Sequence, residues 1–485
     1  MKTVEVIVCG SIIAGKEIIS DRKELSVTNP FTNEIIGQIF CATEEDVHEA
    51  VEIADQVFHS TMKQMPAYER SRILRVAADL LESRGEEFVT LLAMEAGKPV
   101  REGRVEVKRA VQVLRFASEG AKQIKGEQIP MDNAIGGEHQ IGFSKRVPLG
   151  VVAAITPFNF PLNLALHKIA PAIAAGNALV LKPAEKTPLT AGLVYKIFQE
   201  AGLPEGAFNI IMGPGSELGE VLVTHKLVKK VTFTGSGPVG WQIKNLAYRK
   251  KVTLELGSNA PNIIFDDADL ESAVSSIVRG GYTFAGQACV SVQRLYVQRG
   301  IYDSLAEQLV AAVQTLTPGD PLDEATMIGP MITEEAAIRA EAWVQEAVDQ
   351  GADILCGGTR EGAMVAPTIL ANVQPSMKVV CAEVFAPIVS LIPFDSEEEV
   401  IRAANDSEYG LQAGVFTNDI NRGFRMADRL ETGGVWINEV SVLRYDHMPY
   451  GGVKMSGIGK EGIQYAIEDM TDIKFIGINV RGGTL

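Results

Sequence analysis

Val231-Thr-Phe-Thr-Gly-Ser-Gly-Pro-Val-Gly240 is the stretch on which the fold turns. Its first four residues are β-branched or aromatic, its next six hold three glycines, and helical periodicity then runs to about Leu246. That is a strand, a tight turn and a helix. Gly235, Gly237 and Gly240 have the GxGxxG spacing that lets backbone N–H groups approach a pyrophosphate at a helix N-terminus. The same spacing also serves an ordinary tight turn, so alone it fixes the local fold and not the ligand.

The neighbourhood repeats the pattern. Val151–Ile155 and Ala178–Leu181 read as short buried strands, the second ending at Lys182-Pro183. A helix is expected from about Pro188 to Glu200, with Thr187 as its N-cap, Pro188 in its first turn, and Gly202 and Pro204 stopping it. Phe208–Met212 is a strand, Ser216–Thr224 a helix and Val252–Leu256 a strand. Such alternation gives βαβ units and a parallel sheet, an α/β fold whose ligands sit at the carboxyl ends of the strands. Upstream lie helices opening at Thr43, with Asp46 completing a partial capping box, at Tyr68–Leu81 and at Val105–Phe116. From Asp266 the α/β pattern restarts, which puts a second domain near Glu255. The alternation of Asp472–Val480 suits an edge strand, and pairing with another subunit is one way to cover it.

Composition narrows the function. The chain has 485 residues and a net charge of -16, an acidic surface that repels phosphate backbones, so no nucleic acid is expected as partner. No polybasic run points to a membrane surface. Met1–Ser20 lacks the order of a secretory signal, and the apolar Leu162–Leu181 is interrupted by His167, Lys168, Pro171 and Asn177, so a cytoplasmic protein is expected. Five scattered cysteines without a CxxC pair, and histidines without ligand spacing, predict neither disulfides nor a metal site.

Two further motifs carry chemistry. In Gly286-Gln-Ala-Cys289 a cysteine follows a glycine turn and precedes an apolar strand, the setting of a nucleophile or of an inert core thiol. In Thr156-Pro-Phe-Asn159-Phe-Pro161 an asparagine between prolines either presents its amide to an oxyanion or caps a turn. With Leu181-Lys-Pro-Ala-Glu185-Lys-Thr-Pro188, Leu254-Glu255-Leu-Gly257 and Glu383-Val-Phe385-Ala-Pro387, these motifs in this order resemble the NAD(P)-dependent aldehyde dehydrogenase superfamily from about Asn29 to Gly462. The closest look is to its lactaldehyde and non-phosphorylating glyceraldehyde-3-phosphate dehydrogenase branch.

The resemblance implies an aldehyde dehydrogenase-like fold. A dinucleotide-binding domain would take 1–124 and 146–253 with 447–464 returning to it, a catalytic domain 254–446, and a small β oligomerisation arm 125–145 and 465–485. It implies a homo-oligomer, dimer or tetramer. It makes Cys289 the nucleophile, Asn159 the oxyanion donor and Glu255 the base that activates water, roles suited to a thiolate, an amide and a carboxylate. Assigning Glu255 to catalysis sets aside the ribose role that its distance from Gly235 would otherwise give it. Thr156, Pro157, Phe158, Lys182, Glu185, Gly215, Gly235, Ser236, Glu383 and Phe385 correspond to cofactor contacts. Glu185 favours NAD, since a carboxylate bonds ribose hydroxyls and repels a 2′-phosphate, although relatives with this glutamate also take NADP. Ser258, Ala382 and Ala386 depart from the pattern, which touches cofactor affinity and not the reaction type.

For the substrate, a small-molecule aldehyde, the resemblance points to Arg109, Phe160, His167 and Arg444. Arginines near these places serve anionic or hydroxylated short aldehydes in relatives; equally, both are ordinary ion-pair residues and His167 a core histidine. The expected reaction is oxidation of a lactaldehyde- or glyceraldehyde-3-phosphate-like aldehyde to the acid. The alternatives are a CoA-acylating dehydrogenase, which generally lacks a base at Glu255, and a catalytically silent member, which would lack Cys289, Asn159 or Glu255.

Overall fold

The computed structural model describes residues 6–20 and 22–480. The ends of the first and third expected parts, 1–5 and 481–485, lie outside the described residues. These form a ten-stranded, a seven-stranded and a three-stranded sheet, with a two-stranded ribbon. In the first sheet Lys251–Glu255, Val228–Thr234, Val151–Ile155, Ala178–Lys182 and Phe208–Ile210 lie side by side, all parallel. Val151–Ile155 and Ala178–Lys182 are buried at every residue, which is why they read as continuous apolar runs: both faces of a parallel sheet are covered.

In the seven-stranded sheet Thr368–Ala371, Ile388–Phe394, Arg294–Gln298, Pro261–Ile264, Gln412–Phe416 and Gly434–Ile437 run parallel, with Asp353–Cys356 antiparallel at one edge. Its first strand follows Glu255 by six positions, where the second α/β pattern was expected. The chain then returns: Gly457–Ile458 pairs with Leu254 and Glu255 of the first sheet, and Ile463–Asp469 packs as a helix on Asn163–Ala175. Thr471–Asn479 pairs antiparallel with Gln140–Pro148, and its other edge has no strand beside it among the described residues. Ile473, Phe475 and Ile478 on it are 66%, 51% and 47% exposed. No described helix is long and apolar enough to cross a membrane.

Local expectations mostly match. Thr43 caps Glu44–Ser60 with both halves of the capping box present. The helix expected at Val105–Phe116 is longer, Val100–Ala121, because Pro99 pre-sets its start. A further helix, Gly85–Ala96, was not read; it stops at left-handed Gly97. The expected Thr187 cap is absent. Its hydroxyl has no partner, Pro188 occupies the cap position, and the cap comes from another helix: buried Glu95 accepts from the Leu189 and Thr190 N–H groups and from the Thr190 hydroxyl. A carboxylate at a helix N-terminus satisfies the same orphan donors and meets the dipole as well. It costs desolvation, and burial raises the Glu95 carboxyl to about 7.

Candidate active site

Four parallel strands end at one cavity of about 530 Å³. Val151–Ile155 delivers Thr156, Pro157, Phe158 and Asn159; Ala178–Lys182 delivers Lys182 and Glu185; Val228–Thr234 delivers Gly235 and Ser236; Lys251–Glu255 ends on Glu255. Gly215, Glu383, Phe385 and Cys289 complete the wall. Residues far apart in sequence converge because the carboxyl edge of a parallel sheet gathers successive loops.

Cys289 is seated by strained backbone. Phe284 and Ala285 have φ of 49° and 52°, followed by Gly286 at 68°. Two of these three left-handed residues carry a Cβ, which costs about 1–3 kcal/mol each. The surroundings enforce the shape. Glu102 accepts from the Phe284 N–H at 3.0 Å, and the Gln287 amide donates to the Phe284 carbonyl and accepts from the Ile332 N–H. A Cβ at Gly286 would collide with the Ala386 carbonyl.

The asparagine loop is anchored from below. Lys98 and Glu106, both fully buried, form an ion pair. Lys98 also donates to the Asn159 carbonyl at 2.8 Å and lies 3.9 Å from the Phe160 ring centroid. Glu106 accepts from the N–H groups of Leu162 and Asn163 at 3.1 and 3.0 Å, capping Asn163–Ala175. The Asn159 amide donates one hydrogen to the Gln287 carbonyl at 2.9 Å, which ties it to the cysteine segment and leaves its second hydrogen for an oxyanion.

Beneath lies a charged network. Glu461 accepts from Lys168 at 2.7 Å and Arg444 at 3.0 Å; burial opposes its charge, but these cations hold its carboxyl down at about 2. Lys168 also donates to the Thr234 hydroxyl at 2.7 Å. Neither oxygen of buried Glu255 has a hydrogen-bond partner, and burial together with Glu461 pushes its carboxyl well above the usual range. A carboxyl kept this way is an acid at rest and a strong base once ionised.

The Cys289 sulfur lies 3.2 Å from the Tyr450 hydroxyl, and the Arg444 guanidinium stacks 3.8 Å above the Tyr450 ring. Burial pushes the thiol up to about 12, and the Tyr450 hydrogen bond works against that rise. In the ligand-free protein, alkylation of Cys289 by iodoacetamide, followed at this residue by mass spectrometry, should therefore accelerate about tenfold per pH unit across the alkaline range without levelling. Tyr450→Phe should slow it at every pH. A plateau near neutrality would contradict the burial argument.

The structure brings all the expected catalytic and cofactor residues to this cavity, and of the expected substrate residues Arg109, Phe160 and Arg444. His167 is fully buried beside it: its ring bonds Asp446 at 2.8 Å and contacts Arg444. Arg109 is paired through two bonds to Asp446. Lys98, Glu106, Asn163, Lys168, Tyr450 and Glu461 were not read from sequence. The Pro449-Tyr-Gly-Gly452 run was the one signal within reach, since Gly451 is the close approach that lets this loop pass Glu255.

The cradle fits a dinucleotide. Ser236 holds the N-cap position of the helix Gly237–Leu246 without a side-chain bond to it, so the helix's first N–H groups are a ready anion site, and a Cβ at Gly237 would stand in open space while one at Gly240 would strike Leu256. Lys182 and Glu185 lie at one side, and Glu383, held by the Ser258 N–H at 3.0 Å, with Phe385 at the other.

A model of the aldehyde dehydrogenase family matches residues 18–476. The chain is 48% identical over 458 residues to the 3-sulfolactaldehyde dehydrogenase of Priestia aryabhattai, covering 94% of this chain and 95% of that one. Among solved structures it is similar to aldehyde dehydrogenase 21 from Physcomitrella patens in complex with the product succinate, with TM-score 0.96, 40% identity and coverage of 99% and 100%. It is also similar to the glyceraldehyde-3-phosphate dehydrogenase GapN from Methanocaldococcus jannaschii complexed with NADP, with TM-score 0.91, 41% identity and coverage of 95% and 100%.

Proposed function

We propose, for a chain that belongs to the aldehyde dehydrogenase family, that it oxidises a short aldehyde bearing an anionic or hydroxyl group to the carboxylic acid with NAD(P)+. The observation that carries the substrate class is Arg444. Its buried guanidinium lines the cavity that holds Cys289, and its Nε has no hydrogen-bond partner. Burial opposes that charge, but Glu461, Tyr450 and Asp446 hold the group protonated. An orphan donor on a buried cation is a site for an anion. A second cavity meets the first at Arg109, Phe160, Val442 and Arg444, and carries Arg101 and Arg279 on its wall together with Glu102 and Glu106, Arg279 being paired with Glu439. The named relatives act on a sulfonate and a phosphate, and another binds a dicarboxylate.

Cys289, its thiol proton passed to solvent, attacks the aldehyde carbon, and the resulting alkoxide accepts hydrogen bonds from the free Asn159 amide hydrogen and the cysteine N–H. When bound, a nicotinamide dinucleotide would supply the hydride acceptor, with the glycine turn at Gly235 and Ser236 to hold its pyrophosphate and Glu383 with Phe385 to hold its nicotinamide end. The thiohemiacetal thereby becomes a Cys289 thioester. Glu255, once ionised, takes a proton from water as that water attacks the thioester, releasing the acid and restoring the thiol. The balance is aldehyde, NAD(P)+ and water to carboxylate, NAD(P)H and two protons.

We keep the expected division as part of this proposal: 1–124, 146–253 and 447–464 for the dinucleotide, 254–446 for the nucleophile and 125–145 with 465–485 for assembly. The open, apolar edge of Thr471–Asn479 suits a second copy, hence a dimer or tetramer. Five free cysteines suit the cytoplasm.

NAD(P)H formation across anionic, hydroxylated and plain alkyl aldehydes tests this. Arg444→Gln should lower kcat/KM for anionic aldehydes roughly 10- to 100-fold more than for propanal, the scale of a lost charge-assisted bond. Equal losses on both would remove Arg444 from substrate recognition.

A further inference from the structure

Asn163 opens the helix Asn163–Ala175, four residues after Asn159, and is 1% exposed. Its amide donates to Asp446 Oδ1 at 3.2 Å. The same carboxylate oxygen accepts from Arg109 at 2.7 Å and lies 2.8 Å from the His167 ring. Asp446 is an obligate acceptor: burial opposes its charge, but His167 and Arg109 hold its carboxyl below the ordinary range. The orientation of the Asn163 amide is thereby fixed, nitrogen toward Asp446 and oxygen away from it. That oxygen is buried and has no partner, and Asn163 lines the cavity of Cys289 and Arg444.

A buried amide oxygen left unpaired costs free energy, and such an atom on the wall of a binding cavity asks for a donor from the ligand. Neighbouring side chains do not supply one. The substrate's own possibilities are limited: an aldehyde oxygen, a sulfonate, a phosphate and a carboxylate all accept, and only a hydroxyl donates. The hydroxyl must sit close to the aldehyde carbon, because Asn159, which would meet the aldehyde oxygen, lies four residues before Asn163 and lines the same cavity.

We propose that Asn163 is a specificity-determining residue, whose side-chain oxygen accepts a hydrogen bond from the 2-hydroxyl of a 2-hydroxyaldehyde substrate. This rests on the dehydrogenase reading above and deepens it: Arg444 takes the anion, Asn159 the aldehyde oxygen and Asn163 the hydroxyl between them. Two of the relatives named above, those for 3-sulfolactaldehyde and glyceraldehyde 3-phosphate, are named for 2-hydroxyaldehydes, whereas the succinate bound to a third has no such hydroxyl.

The test compares lactaldehyde with propanal, which lacks only the hydroxyl. The wild-type protein should favour lactaldehyde in kcat/KM, and Asn163→Leu, of similar volume, should lower the lactaldehyde-to-propanal ratio about tenfold or more. A ratio unchanged by the substitution overturns the proposal. Should Asn163→Leu fail to fold, the wild-type protein carries a second measurement by calorimetry with NAD(P)H present: lactate should bind about tenfold more tightly than propionate, and equal affinities overturn the proposal. Failure of the underlying reading looks different, since then no aldehyde of either kind yields NAD(P)H.

Discussion

Cys289→Ser will reduce NAD(P)H formation by roughly 10⁴-fold or more, because a serine hydroxyl is not ionised in this pocket and its wall has no second thiol. Glu255→Gln will behave differently. In the proposed mechanism the chemistry before the thioester would use the Cys289 sulfur and Asn159, whereas its release would use Glu255. The variant should therefore yield a burst of about one NAD(P)H per active site and then turn over roughly 10²–10⁴-fold more slowly. Rapid-mixing absorbance at the reduced-nicotinamide band reads both phases, and denaturing mass spectrometry should find the acyl group on Cys289. A full steady rate without Glu255 would transfer the base to another residue. Acceleration of the wild-type protein by CoA, with an acyl-CoA product, would replace hydrolysis by acyl transfer to a thiol.

The largest effect on stability is expected at Lys98. Lys98→Met removes one partner of a fully buried ion pair and leaves the Glu106 carboxylate without its cation in a site closed to water. Losses of about 3–5 kcal/mol attend such removals, against little change when both partners are replaced by apolar residues of similar volume. Urea unfolding should show the single variant strongly destabilised and Lys98→Met with Glu106→Gln partly restored, because the glutamine amide oxygen still accepts from the Leu162 and Asn163 N–H groups. A loss below about 1 kcal/mol would mean that Glu106 finds water or another cation. Activity should fall with stability, since Lys98 also holds the Asn159 carbonyl.

Why the sequence was legible at some positions follows from where the information lies. Strands such as Val151–Ile155 and Ala178–Lys182 announce themselves by uninterrupted burial, and the turn at Gly235 by its spacing. Cys289, Asn159 and Glu255 were reached through long motifs whose local sequence carries the loop geometry. The Lys98–Glu106 pair, Lys168 with Glu461, and Asn163 with Asp446 had no such trace. Lys168 with Glu461 and Asn163 with Asp446 join residues hundreds of positions apart, and even for Lys98 and Glu106, eight positions apart, a lysine in an amphipathic stretch looks the same whether its amine reaches solvent or a buried carboxylate. The Thr187 cap failed for the same reason: the cap that replaced it arrives from Glu95, on a helix the periodicity had not disclosed.

The strand Gln140–Pro148, inner neighbour of the open-edged Thr471–Asn479, is separated from Val151–Ile155 by Leu149 and Gly150 alone. Asn177 grips both intervening N–H groups, at 2.8 and 3.0 Å, and the Met470 carbonyl at 2.9 Å. The peripheral ribbon and the strand that carries Asn159 are thus one stiff lever. Were a second copy seated on that ribbon, as proposed above, it would steady the Asn159 loop from a distance, and mass action would enter the chemistry: catalytic output per milligram would become a function of concentration. On serial dilution, turnover should decline while the far-ultraviolet signature of the folded chain persists.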